Sequence, residues 1–148
     1  MIDVRAGDVL KISHPDKGGI PIILYGIDAP DKGQAHFKQA KKFLVGKVEG
    51  RDVNVQEFST GQKIIAAQVF LDGENINEQV LQAGYAWVYE KYCGQDFCRE
   101  WLNIEKQARN KKLGIWQEGN QIPPWEWRKK ILTKIFRVFL WIVPPLGD

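Results

Sequence analysis

The sequence predicts an α+β fold that is mainly β: a small five-stranded Greek-key barrel with three helices, followed by an amphipathic C-terminal helix. Three observations predict it. Alternating or apolar runs bounded by Gly, Pro, Asp and Asn recur at 7–13, 20–25, 53–58 and 63–71, which is the strand signature. Segments of helical period fall at 34–48, 74–83 and 96–112. At 148 residues the chain has the size of one domain able to bury a real core.

Taken in order, Gly7-Asp8-Val9-Leu10-Lys11-Ile12-Ser13 alternates as a strand, and Pro15-Asp16-Lys17-Gly18-Gly19 is a strong turn signal. Ile20–Tyr25 returns as a second strand, so the pair reads as a hairpin that brings Asp8 and Asp28 to one region. In 34–48, Phe37, Ala40, Phe43, Leu44 and Val48 make one stripe, with Lys38, Lys41, Lys42 and Lys47 on the solvated face. His36 reads as one more exposed helical residue. Val53 and Val55 alternate with polar residues, and Lys63–Leu71 is an apolar strand closed by Asp72-Gly73. Ile76, Val80 and Leu81 line the second helix, which Gly84 ends; Trp101, Ile104 and Ala108 line the third. Periodicity by itself supports α+β. The element order fits the OB architecture, a five-stranded, partly open Greek-key barrel.

Charge and cysteines narrow the function classes. Residues 1–124 carry 16 Lys and Arg against 16 Asp and Glu, so the net charge of +3 lies in the tail. A basic stripe along the body, the footprint of a protein that grips a polyanion, is therefore missing from the composition. Residues 1–15 lack the basic start and apolar run of a secretory signal, which leaves a cytoplasmic protein or an exported one already processed. Cys93 and Cys98 bracket a Gly-containing loop. That spacing is open to a disulfide or to two free thiols, and zinc would need two further ligands.

Tyr25-Gly26-Ile27-Asp28-Ala29-Pro30-Asp31 ends the second strand with an Asp-x-Pro-Asp corner. Pro30 fixes its own φ and pushes Ala29 out of helical geometry, so Asp28 stays extended while Asp31 turns away. Carboxylates and carbonyls on such a corner suit a hard cation such as calcium. Asp and Pro are equally at home where a helix begins.

The chain resembles the staphylococcal nuclease (thermonuclease-like) family over about residues 1–128. The matching pieces are Ala6-Gly7-Asp8, Tyr25–Asp31, Val69–Gly73, Asn77 with Leu81–Trp87, Glu105–Arg109, Gly114–Trp116 and Pro123-Pro-Trp-Glu-Trp-Arg128, all in consistent order. The resemblance implies an OB-fold domain that cuts DNA or RNA phosphodiesters with calcium. Two aspartates and a backbone carbonyl hold the ion, a glutamate activates water and two arginines steady the phosphate. Those residue types follow the chemistry: oxygens for calcium, a base for the water, and fixed forked donors for the charge developing on phosphorus. Asp8 and Asp28 match the metal ligands, and Ala29 can still offer its carbonyl. Asp31 stands where the family has the glutamate base. Both arginine positions are isoleucine, Ile23 and Ile64, which points to apolar barrel surface or core there. Lys63 is the one substitute cation at hand if the alignment shifts by one. Tyr89 and Tyr92 match tyrosines of the nucleotide pocket, where aromatics stack on bases; packing between barrel and helices accounts for them equally. The implied reading is a nuclease relative with catalysis lost or weakened, set against an active calcium nuclease.

Beyond the 1–128 domain, residues 129–148 form a basic amphipathic tail. Ile131–Val143 is apolar with Lys130, Lys134 and Arg137 on one helical face. It falls short of the ~20 residues a bilayer span needs. Such a helix fits an anionic membrane surface, a protein partner or the chain's own body. Trp125 and Trp127 are expected to pin the Pro-rich segment to the body.

Overall fold

The predicted turn at Pro15–Gly19 closes the hairpin on which the sheet is built. The computed structural model describes residues 2–58 and 64–142, with the backbone alone for 136–142. Strands β1 (Asp3–Ala6), β2 (Val9–His14) and β3 (Gly18–Leu24) run antiparallel, with Val9 opposite Ile23 and Leu10 opposite Ile22. The short β4 (Ile27–Asp28) carries the chain into α1 (Phe37–Val48), and β5 (Asn54–Glu57) and β6 (Ile65–Leu71) follow. Strand β6 pairs parallel to β3 and antiparallel to β5. After β7 (Glu74–Asn75) come α2 (Ile76–Gln82), β8 (Trp87–Val88), α3 (Cys98–Asn110) and α4 (Pro124–Ile142).

The main sheet reads β1-β2-β3-β6-β5, with β7 beside β6, and β4 pairs with β8 separately. This is the five-strand order of the expected Greek-key barrel, with its two edge strands left unpaired among the described residues. Its interior holds Leu10, Ile22, Leu24, Ala67 and Val69, covered by Leu44 and Val48 of α1 and Val80 and Leu81 of α2. Trp101 of α3 is fully buried against them.

Three local expectations change. His36 precedes α1 at a left-handed φ of 67°. Its side chain lies 3.7 Å from Glu118, so it is part of a half-buried contact and not an exposed helical residue. The helix therefore begins at Phe37, after a turn in which Gln34 N–H donates to the Asp31 carbonyl. The cysteine alternatives resolve to a Cys93–Cys98 disulfide, Cα to Cα 5.8 Å. It packs on Gly26, whose φ is 74° and where any Cβ would meet Cys93 Sγ at 2.6 Å. Only glycine fits the strand end there. Finally, α4 starts at Pro124 and runs unbroken through position 128, where the sequence divides domain from tail. A Pro at the first helical turn explains the start, since its missing N–H has no helical partner to lose. Leu132 and Ile135 on this helix are exposed, and no described helix is long and apolar enough to cross a membrane.

Candidate active site

The acidic corner is assembled by the two ends of the β2–β3 hairpin and by the β4–β8 pair. Leu24 N–H donates to the Asp8 carbonyl at 2.8 Å, locking the Asp8 backbone to the end of β3. Gly7 makes room for this, because a Cβ there would meet Ala40 at 2.8 Å and Ala29 at 2.9 Å. The Ala29 N–H then donates to Asp8 Oδ2 at 3.0 Å. Asp28 pairs with Trp87 across β4–β8, and β8 is itself held by Glu105, which accepts the Val88 N–H at 2.8 Å. Burial pushes the Glu105 carboxyl above its usual range, while the Val88 bond and Arg109 oppose it. Glu105 belongs to the Glu105–Arg109 match, yet its role has no signal in the sequence, because a carboxylate on the inner stripe of α3 contradicts the apolar pattern by which that stripe is found.

Asp8 and Asp28 are both buried. Burial, and then the Asp28 charge, pushes the Asp8 carboxyl up to about 8, against the pull of the Ala29 hydrogen bond. Burial likewise raises Asp28, with the hydrogen bonds and charge of Arg128 opposing. Asp8 thus binds a proton in the folded chain at pH values where the unfolded chain has released it. The folded state is favoured most fully below the ordinary carboxylate pKa of 3.8, and this contribution is lost as pH rises toward 8. Stability should fall by about 1 kcal/mol per pH unit over that interval. Asp8→Asn keeps an acceptor for Ala29 and should flatten the slope. Urea titrations at pH 5 and pH 8 check this, and equal slopes in both chains would refute it.

Arg128 was not expected here. Its guanidinium reaches the corner from α4, with Nη2 2.6 Å from Asp28 Oδ2 and Nη1 2.8 Å from Asp31 Oδ2. Nη1 also lies 3.4 Å from Asp28 Oδ1. These contacts raise the Arg128 pKa further, so the side chain is always charged. The Pro123–Arg128 motif was visible in sequence, yet nothing local ties it to residues about a hundred positions earlier. Asp31, the base candidate, is thereby engaged in an ion pair.

A cleft of about 740 Å³ opens beside the corner, lined by Asp8, Asp28, Asp31, Ile23, Ile64 and Phe58, with Tyr89 and Tyr92 further along. The isoleucines are wall and not core: Ile23 is half-buried and Ile64 is 46% exposed. Arg5 and Lys32 also line the cleft, and Arg5 is paired with Asp3 at 2.7 Å. Tyr89 stacks on Trp125 at 4.6 Å and 9°, so one of its faces is used in packing, while Tyr92 is exposed. Lys63 lies outside the described residues.

Asp8, Asp28 and the Ala29 carbonyl are the hard oxygens calcium takes. Their arrangement, however, is that of a guanidinium site. Arg128 occupies both oxygens of Asp28, Ala29 N–H occupies Asp8, and no group of three or more acidic, His or Cys side chains among the described residues is placed to hold an ion. In the folded chain Arg128 stands where such an ion would meet Asp28.

A five-stranded Greek-key sheet with an acidic Asp-x-Pro-Asp corner at the mouth of a cleft defines a nuclease-type OB fold. The chain belongs to the staphylococcal nuclease family, whose profile, described as "Staphylococcal nuclease homologue", matches residues 21–118. It is 30% identical over 132 residues to an "Uncharacterized endonuclease" of Escherichia coli, covering 88% of this chain and 84% of that protein. It is 32% identical over 140 residues to "Protein ParB" of Escherichia coli, covering 88% and 78%. It is also 32% identical over 140 residues to a "Micrococcal nuclease" of Shigella flexneri, covering 83% and 80%. Asp8 and Arg128 both lie outside the span of the family profile.

Proposed function

We propose that this chain is a nuclease-type domain directed at nucleic-acid phosphodiesters whose cleavage chemistry is strongly weakened. The observation that carries the reading is the cleft wall at Ile23 and Ile64. Both positions, where the family resemblance implies arginine, face the cleft with side chains that cannot donate a hydrogen bond. A phosphate entering there meets no forked donor at these two positions, and Arg5, which also lines the cleft, is paired with Asp3; loss of one such donor typically lowers a rate about 100- to 1000-fold. Arg128 does not substitute while its fork is engaged by Asp28 and Asp31. Asp31 has one methylene fewer than the glutamate of the family, which shortens its reach toward an attacking water.

The test is cleavage of single-stranded DNA and RNA with and without calcium. Turnover close to the uncatalysed background is expected. Clear calcium-dependent turnover that Asp28→Ala abolishes would overturn the reading. It would favour the rival, an active calcium nuclease working through Asp8, Asp28 and Asp31, with Lys63 as a substitute cation. The names of the relatives, an endonuclease and a micrococcal nuclease, are what keep that rival in view.

A further inference from the structure

Arg128 is held in place by the contacts that pin the start of α4 to the body. Trp125 stacks on Tyr89 on one side of the corner. On the other, Trp127 packs over Gly33, 3.5 Å from where a Cβ would be, and Gln34 Nε2 donates to the Ile122 carbonyl at 2.6 Å. Two aromatic anchors and a side-chain-to-backbone hydrogen bond thus hold the start of α4 beside the corner, and Arg128 is the next residue along it. Its fork spans two different carboxylates, Asp28 and Asp31, in short charge-assisted bonds.

Those bonds use the same atoms that a divalent ion would need. Asp28 offers both carboxylate oxygens to Arg128, and a cation at those oxygens would be repelled by a guanidinium held at hydrogen-bonding distance. Charge count points the same way: Asp28 and Asp31 share one guanidinium, and a doubly charged ion would balance the two carboxylates more fully than Arg128 does. Arg128 is also free to leave. Its side chain is 41% exposed, whereas that of Asp28 is 7% exposed, so withdrawal moves a surface arginine into water and leaves the corner in place.

We propose that Arg128 is a built-in cation that caps the Asp28–Asp31 corner and competes with a divalent cation for it, making helix α4 an autoinhibitory arm over the cleft. The inference rests on Asp28 belonging to the cation-binding corner, and it does not depend on whether the chain cleaves nucleic acid.

Calcium titration calorimetry on the full chain, in low salt at pH 8, tests it without any turnover. The comparison is wild type against Arg128→Gln, which keeps the length and polarity of the side chain and removes its charge. Calcium affinity is expected to rise at least about tenfold in Arg128→Gln, since an internal competitor scales apparent affinity by the fraction of the chain it leaves open, about one tenth or less here. Arg128→Lys keeps the charge but loses the fork, and its affinity should fall between the two. Circular dichroism establishes that each variant is folded; if Arg128→Gln is not, Arg128→Lys against wild type decides, with tighter binding in the lysine variant expected. Equal or weaker calcium binding in a folded variant, or no binding in any of them, would overturn the proposal.

Discussion

The double substitution Ile23→Arg plus Ile64→Arg is expected to raise calcium-dependent cleavage of single-stranded DNA by at least about 100-fold over the wild-type chain. Each arginine would place a forked donor in the cleft beside the acidic corner, where a phosphate lying in the cleft could be gripped from the side. Effects of donors that act together are not additive, so the gain from the pair should be well short of the product of two single gains. The structure also removes the main objection to the experiment. Arginine in a barrel core would unfold it, but Ile23 is only half-buried and Ile64 is 46% exposed, and both line open space. Each new guanidinium can therefore reach water along an apolar stem. A thermal melt shows whether the fold is kept. An unchanged rate in a folded double mutant would mean that the loss of activity lies elsewhere, in Asp31 or in the Arg128 cap.

Asn77→Ala should be the most damaging single change away from the cleft. The Asn77 side chain is fully buried, accepts the Val69 N–H at 3.0 Å and donates to the Tyr25 and Ala67 carbonyls at 3.1 and 3.2 Å. It ties α2 to β6 and to the residue from which the Asp-x-Pro-Asp corner departs. Alanine leaves an N–H and two carbonyls without this partner in a dry interior and opens a small void. A loss of about 3 kcal/mol is expected, a large part of the ~5–15 kcal/mol that holds a domain of this size together. Urea unfolding measures it, and a loss below about 1 kcal/mol would show that water or a neighbour replaces the amide. The corner should loosen in parallel, because Tyr25 is one of the groups released.

The hairpin at 9–24, the barrel order and the meeting of Asp8 with the Asp28 corner were legible, because they depend on alternation, turn residues and short loops. The Trp125 and Trp127 anchors were expected from their place in the Pro-rich segment, and both are found packed against the body. His36 was misread because a helical stripe does not show where the first turn begins, and a left-handed residue before the helix has no periodic signature. Glu105 stood in a matching segment but its role was not legible, because its burial depends on one N–H, that of Val88, presented by a different element.

By itself the sequence determined the architecture, the family and the chemical character of the corner, since these follow from patterns read within a few residues of each other. Only the tertiary structure decided what stands in that corner. Arg128 meets Asp28 across 100 positions of chain, and no spacing rule connects them: the pairing exists because Trp125 and Trp127 hold the start of α4 against Tyr89 and Gly33. It likewise decided that Ile23 and Ile64 are wall and not core, because exposure depends on which elements fold over a residue and not on the residue's own hydrophobicity.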